Sequence, residues 1–109
     1  MARISTHVLD VERGRPVADM TVELYFEGAL VGSSRTNANG RTDEPLQAGG
    51  RLSTGFYECV FHAGDYLSQR GEPAFYDRIA IRFHVSEAED NYHVPLLLAA
   101  HGYSTYRGS

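Results

Sequence analysis

Two stretches of strict alternation constrain this chain more than any other feature. Met20, Val22, Leu24 and Phe26 alternate with Thr21, Glu23, Tyr25 and Glu27. Ile79, Ile81, Phe83 and Val85 alternate with Arg78, Ala80, Arg82 and His84. Successive side chains of a β-strand leave opposite faces, so a period of two gives one apolar and one polar face. Both stretches are predicted as half-buried strands, and a chain built from such pieces must find a second layer to cover the apolar faces.

The same reasoning finds the other elements. Ile4 to Asp10 is a strand rich in β-branched residues, closed by the turn Glu12-Arg13-Gly14-Arg15-Pro16. Leu30 to Asn37 is a more polar strand, suited to a sheet margin, and Asn37-Ala38-Asn39-Gly40 supplies turn residues that tolerate positive φ. Thr42 to Thr54, with Pro45 and repeated glycine, reads as loop, with room for a very short strand near Arg41. Phe56 to His62 is a strand with Tyr57, Cys59 and Phe61 on one face. Gly64 to Gly71 reads as one or two helical turns with a stop glycine. Asn91 to Leu98 begins a closing hairpin that ends in Tyr106-Arg107-Gly108-Ser109. About seven or eight short strands, spaced roughly 8–12 residues apart, with one short helix, argue for an all-β antiparallel sandwich. The length of 109 residues suits one domain spanning 1–109.

Composition excludes several functions. A net charge of −4 disfavours a broad nucleic-acid footprint. The single cysteine, Cys59, forbids an internal disulfide and falls on a core-facing position, where it packs as an inert side chain. No secretory h-region opens the chain, and no run reaches the ~18 apolar residues of a membrane span. The expectation is a cytoplasmic protein with neither a membrane nor a nucleic-acid partner.

Five histidines, at 7, 62, 84, 93 and 101, are the candidate chemical groups. His7 lies opposite Ile4, Thr6 and Val8 in its strand, and His93 lies opposite Tyr92, Val94, Leu96 and Leu98. With those apolar sets in the core, both histidines point outward, together with Leu9, Pro95 and Leu97. Ser104 and Tyr106 share one face of the last strand. An outer face bearing Leu9, Leu97 and Tyr106 is too apolar for bulk water and suits a partner or a groove. The plainer reading makes His7 and His93 ordinary half-exposed strand residues. His62 and His84 sit among polar neighbours and read as solvated. No G-x-S-x-G, H-E-x-x-H, C-x-x-C or G-x-x-x-x-G-K-[ST] motif occurs. The spacing of His7, His93 and His101 selects no metal, and neither a metal nor a cofactor is expected.

Particular segments resemble a known family. Thr6-His7-Val8-Leu9-Asp10 with Gly14-Arg15-Pro16 resembles the opening of the transthyretin-like family, and Thr36-Asn37-Ala38-Asn39-Gly40-Arg41 resembles its T-N-x-D-G-R turn. Tyr92-His93-Val94-Pro95-Leu96-Leu97-Leu98 and the closing Tyr103-Ser104-Thr105-Tyr106-Arg107-Gly108-Ser109 resemble the enzymatic branch of that family, which acts on 5-hydroxyisourate in purine (urate) degradation. The likeness runs end to end, and the terminal Tyr-Arg-Gly-Ser is its most specific part. Asn39 departs from the usual aspartate, Ala99-Ala100 from the usual Ser-Pro, and His101 from a position often aromatic.

The resemblance implies a transthyretin-like sandwich of two four-stranded sheets with a short helix after the fifth strand. It implies a homotetramer, a dimer of dimers, whose sites lie in a channel where the outer faces of the first and last strands meet. It implies hydrolysis of a cyclic amide, with His7, Arg41, His93 and Ser109 as the catalytic group and His7, Arg41 and Tyr106 contacting substrate. Either histidine suits the role of base toward water, and Arg107 suits substrate binding or anchoring of the tail. The rival readings are a small-ligand carrier of the transthyretin type and a metal-dependent or structural sandwich module.

Overall fold

The computed structural model describes residues 2–109. Nine strands and one helix follow in the order β1 (Ala2–Asp10), β2 (Arg15–Pro16), β3 (Thr21–Phe26), β4 (Ala29–Arg35), β5 (Gln47–Gly49), β6 (Gly55–His62), α1 (Ala63–Gln69), β7 (Arg78–Val85), β8 (Asn91–Ala99) and β9 (Gly102–Thr105). One sheet runs β2-β1-β8-β9, with β5 added on β1, and the other runs β4-β3-β6-β7.

The alternation read from sequence decides which faces meet. In β1, Ile4, Thr6 and Val8 are buried while Ser5, His7 and Leu9 are half-buried on the other side. Leu96 and Leu98 of β8 join Ile4 and Val8 beneath one sheet, and Val22, Leu24, Tyr57, Cys59, Phe61 and Ile79 answer from the other. Each large aliphatic chain so buried contributes about 1.5–3 kcal/mol before ordering costs. Burial pushes the Cys59 thiol up to about 12, so it stays protonated and inert.

The structure departs from the antiparallel expectation at one pair. β1 and β8 are parallel, with Arg3 opposite Asn91 through Asp10 opposite Leu98. Parallel neighbours need a long crossover, and here the whole second sheet and α1 lie between them in sequence, which supplies it. β5 lies in the segment expected to be loop, where Gly49 and Gly50 lower strand propensity; its pairing with Ala2, Arg3 and Ile4 of β1 creates it. No strand forms at Arg41, which sits in a bend. α1 begins one residue earlier than predicted and closes where Gly71, at φ +85°, takes the left-handed conformation that ends a helix.

Candidate active site

β1 and β8 build the floor of the site. Their register sets Ser5 beside His93 and His7 beside Pro95, so the two histidines stand one diagonal step apart on the outer face. Both are half-buried, and Leu9 and Leu97 continue the same face. Pro95 shares this parity and is buried.

The tail forms one wall. β9 pairs with β8 from Gly102 opposite Ala99 to Thr105 opposite Leu96, and the same register reappears where Gly108 bridges His93. The Gly108 amide donates to the His93 carbonyl at 2.8 Å. A Cβ on residue 108 would collide with the His93 ring, so glycine lets the tail backbone lie against the imidazole. Tyr106, between the β9 pairing and the Gly108 bridge, is 60% exposed and borders a cleft with Tyr92, Val94 and Arg107. Ser109 follows Gly108 in the chain.

Arg107 faces the other way and anchors the tail. Its guanidinium lies 4.5 Å from the centre of the Tyr92 ring and donates at 3.1 Å both to Asp90 and to the Asn91 carbonyl.

Arg41 arrives on a tight loop. Asn37 Oδ1 accepts the amides of Asn39 at 2.9 Å and Arg41 at 3.3 Å, and the Asn37 amide donates to the Arg41 carbonyl at 2.7 Å. Gly40 has φ +77°, and a side chain there would strike the Val8 carbonyl and crowd His7. The Val8 amide donates to the Gly40 carbonyl at 2.8 Å, so the loop is pinned to β1 at the residue after His7. Beside it runs a cleft of about 240 Å³ bordered by Arg3, Ser5, Arg41, Thr42 and Asp43.

The electrostatics favour neutral imidazoles. His7 is held below its ordinary 6.5 by burial and then by the Arg41 charge, against the opposing pull of the Asn39 carbonyl. His93 is lowered by burial, Arg41, His7 and Arg3, while the Ser5 backbone favours its protonated form. Two half-buried imidazoles that prefer to be uncharged, beside a fixed guanidinium, can take a proton from water and stabilise a developing anion.

The structure thus brings His7, Arg41 and His93 together, whereas Tyr106 borders the cleft beside Tyr92 and Arg107. His101 lies in the turn at the opposite end of the β8–β9 hairpin and has no part in the site. His62 is not solvated: its side chain is 14% exposed and its Nε2 lies 2.9 Å from Glu23 Oε1, because β6 and β3 are neighbours and their outward residues meet. His84 is exposed and stacks on Phe56 at 4.6 Å. Sequence reasoning missed Ser5, whose hydroxyl lies 2.9 Å from His93 Nδ1; its parity with His7 was the available signal. Among the described residues no group of three or more His, Cys, Asp or Glu side chains is placed to hold a metal. No helix is long and apolar enough to cross a membrane.

The sequence profile of the HIUase/Transthyretin family matches residues 4–108. The chain belongs to this family. Within the HIUase/Transthyretin family it is 48% identical over 115 residues to 5-hydroxyisourate hydrolase 2 of Rhizobium meliloti, covering 98% of this chain and 96% of that protein. It is 46% identical over 117 residues to the 5-hydroxyisourate hydrolase of Pseudomonas aeruginosa, covering 100% and 93%. The structure of Klebsiella pneumoniae 5-hydroxyisourate hydrolase superposes with a TM-score of 0.90 at 37% identity over 100% of both chains. Sea bream transthyretin in complex with thyroxine superposes with a TM-score of 0.87 at 20% identity, over 97% of this chain and 94% of that one, a likeness of fold alone.

Proposed function

We propose that this chain, acting as one domain over 1–109, hydrolyses 5-hydroxyisourate to 2-oxo-4-hydroxy-4-carboxy-5-ureidoimidazoline in purine degradation. The observation that carries this reading is the meeting of His7, His93 and Arg41 on one face, with both imidazoles held toward the neutral form. The names of the relatives point the same way. One histidine takes a proton from water as the water oxygen attacks the ring amide carbon. Arg41 hydrogen-bonds the carbonyl oxygen as it gains negative charge. The tetrahedral intermediate collapses by breaking the C–N bond, and the protonated histidine returns its proton to the leaving nitrogen. The product carboxylate remains beside Arg41 until release. Tyr106 contacts the substrate ring, and Ser109 holds the water or His93. No covalent enzyme intermediate and no cofactor is required. A carrier would need no such proton-handling pair, which is why the hydrolytic reading stands ahead of it.

We assign the enzyme to a cytoplasmic homotetramer, a dimer of dimers. The support is the outer face itself: half-buried Leu9 and Leu97 share it with the histidines, and a second copy would complete the channel.

The test is the ultraviolet decay of freshly generated 5-hydroxyisourate. Wild-type protein should accelerate the decay with or without chelator. His7→Ala and His93→Ala should sediment as tetramers yet lose roughly 10²–10⁴ in turnover. Wild-type decay rates in both variants would remove the histidines from the chemistry, and a monomeric wild type would remove the shared channel.

A further inference from the structure

The geometry points to Ser5 as a positioning residue that holds His93 through Nδ1 and presents Nε2 to the reacting water. This inference rests on the hydrolytic reading of the site for its kinetic consequence, but the ring geometry stands apart from it.

Two contacts fix the imidazole. Ser5 and His93 are register partners in the parallel β1–β8 pair, so their side chains leave the sheet together. Ser5 Oγ lies 2.9 Å from His93 Nδ1 and makes no other side-chain hydrogen bond among the described residues. On the other edge of the ring, the Gly108 backbone lies so close to His93 Cδ2 that no side chain fits between. Nδ1 and Cδ2 are the two ring atoms bonded to Cγ, so contacts on both leave little freedom of rotation about the Cβ–Cγ bond. Nε2, at the far end of the ring, is left as the nitrogen available to substrate and water.

One tautomer belongs to this proposed arrangement. A hydroxyl can donate to Nδ1 or accept from it, so Ser5 Oγ alone does not decide. The Ser5 backbone carbonyl is an acceptor only, and it favours the protonated ring. In the proposed arrangement the proton of neutral His93 sits on Nδ1 and is donated to Ser5 Oγ across the 2.9 Å contact. Nε2 then carries the lone pair and serves as the proton acceptor. Which nitrogen carries the proton is set by the hydrogen bond at the other, as in other acid–base histidines. Ser5 also borders the cleft beside Arg41, so this small side chain leaves room where a larger one would intrude.

The experiment compares Ser5→Ala and Ser5→Thr with wild type. Threonine keeps the hydroxyl and suits a strand, whereas alanine removes it. Turnover of 5-hydroxyisourate in Ser5→Ala should fall roughly tenfold to a hundredfold in kcat with little change in KM, a part of the 10²–10⁴ that a positioned acid–base group provides. Ser5→Thr should recover most of that loss. The acid limb of the Ser5→Ala rate profile should move to lower pH, because the hydroxyl accepts most strongly from the charged ring. Nitrogen-15 NMR of imidazole-labelled protein reads the tautomer directly. Neutral His93 should carry its proton on Nδ1 in wild type and in Ser5→Thr, and shift toward Nε2 in Ser5→Ala. Wild-type kcat in Ser5→Ala, equal losses in both variants, or a His93 tautomer that ignores Ser5 would each overturn the proposal. A protein that hydrolyses no 5-hydroxyisourate would sink the functional reading, and the NMR comparison would still decide the positioning.

Discussion

Arg41 acts on the two histidines before any substrate arrives. After burial, its charge is the largest influence lowering both His7 and His93. Replacing it with glutamine removes that influence, so both groups should hold protons to higher pH. The acid limb of kcat/KM in Arg41→Gln should therefore shift upward, alongside a loss of about 10²–10³ in kcat for the missing anion stabiliser. Arg41→Lys keeps the charge and should keep the limb in place, while losing the two-pronged donor geometry. An unmoved limb in Arg41→Gln would show that the guanidinium does not govern the histidines. The same linkage bears on stability. Both histidines titrate lower in the folded chain than the ordinary 6.5, so the stability they contribute is full above 6.5. It is lost as pH falls through their depressed folded values, because the unfolded chain binds those protons first.

The tail is the element whose role depends most on a single small residue. Gly108 donates to the His93 carbonyl while its missing side chain admits the imidazole. Gly108→Ala must either displace the ring or lift the tail, and Ser109 moves with it. Turnover should fall at least tenfold, on the order expected when a proton-handling group is misplaced. The thermal midpoint should move little, because the bridge is isolated and lies at the chain end. A variant with wild-type kcat would show the tail is free to re-seat. The contrast between elements also explains what the sequence revealed. Alternation is local, so it placed Ile4, Val8 and Leu96 in the core and turned His7 and His93 outward. The parallel pairing of β1 with β8, the three-residue β5 and the seating of Arg41 on Val8 depend on partners far away in sequence. No window of neighbouring residues carries that information. Arg41 and Ser109 were accordingly named through family resemblance and not through spacing, and the solvated reading of His62 failed because its partner Glu23 lies on another strand.

At the scale of the molecule, a buried ionic cluster joins three segments at the end of the sandwich opposite His93. Asp10, at the end of β1, has a fully buried side chain and pairs with Arg70, whose side chain is 4% exposed. Asp10 also accepts the Tyr66 hydroxyl at 2.6 Å and the amides of Glu12 and Arg13 at 3.1 and 3.0 Å. Arg70 reaches Glu12 at 2.8 Å, and the same Glu12 oxygen accepts the Ala100 amide at 2.9 Å. The cluster therefore ties β1, the segment around α1 and the β8–β9 turn. Burial alone would raise the Asp10 carboxyl, but its bonds from Tyr66, the Arg13 amide and Arg70 prevail and hold it below the ordinary 3.8. Its contribution to stability is thus present above that value and lost as pH falls through the folded one. Removing one partner of a buried ion pair costs about 3–5 kcal/mol. Asp10→Ala should lose about that much in urea unfolding at fixed protein concentration. Among the described residues Arg70 Nε has no partner, so Arg70→Met removes an orphaned donor as well as the charge. The double variant Asp10→Ala/Arg70→Met should consequently lose less than the sum of the two single variants, by an interaction of about 0.5–3 kcal/mol. Additive losses would mean that the two side chains stabilise the fold independently, each through its packing alone.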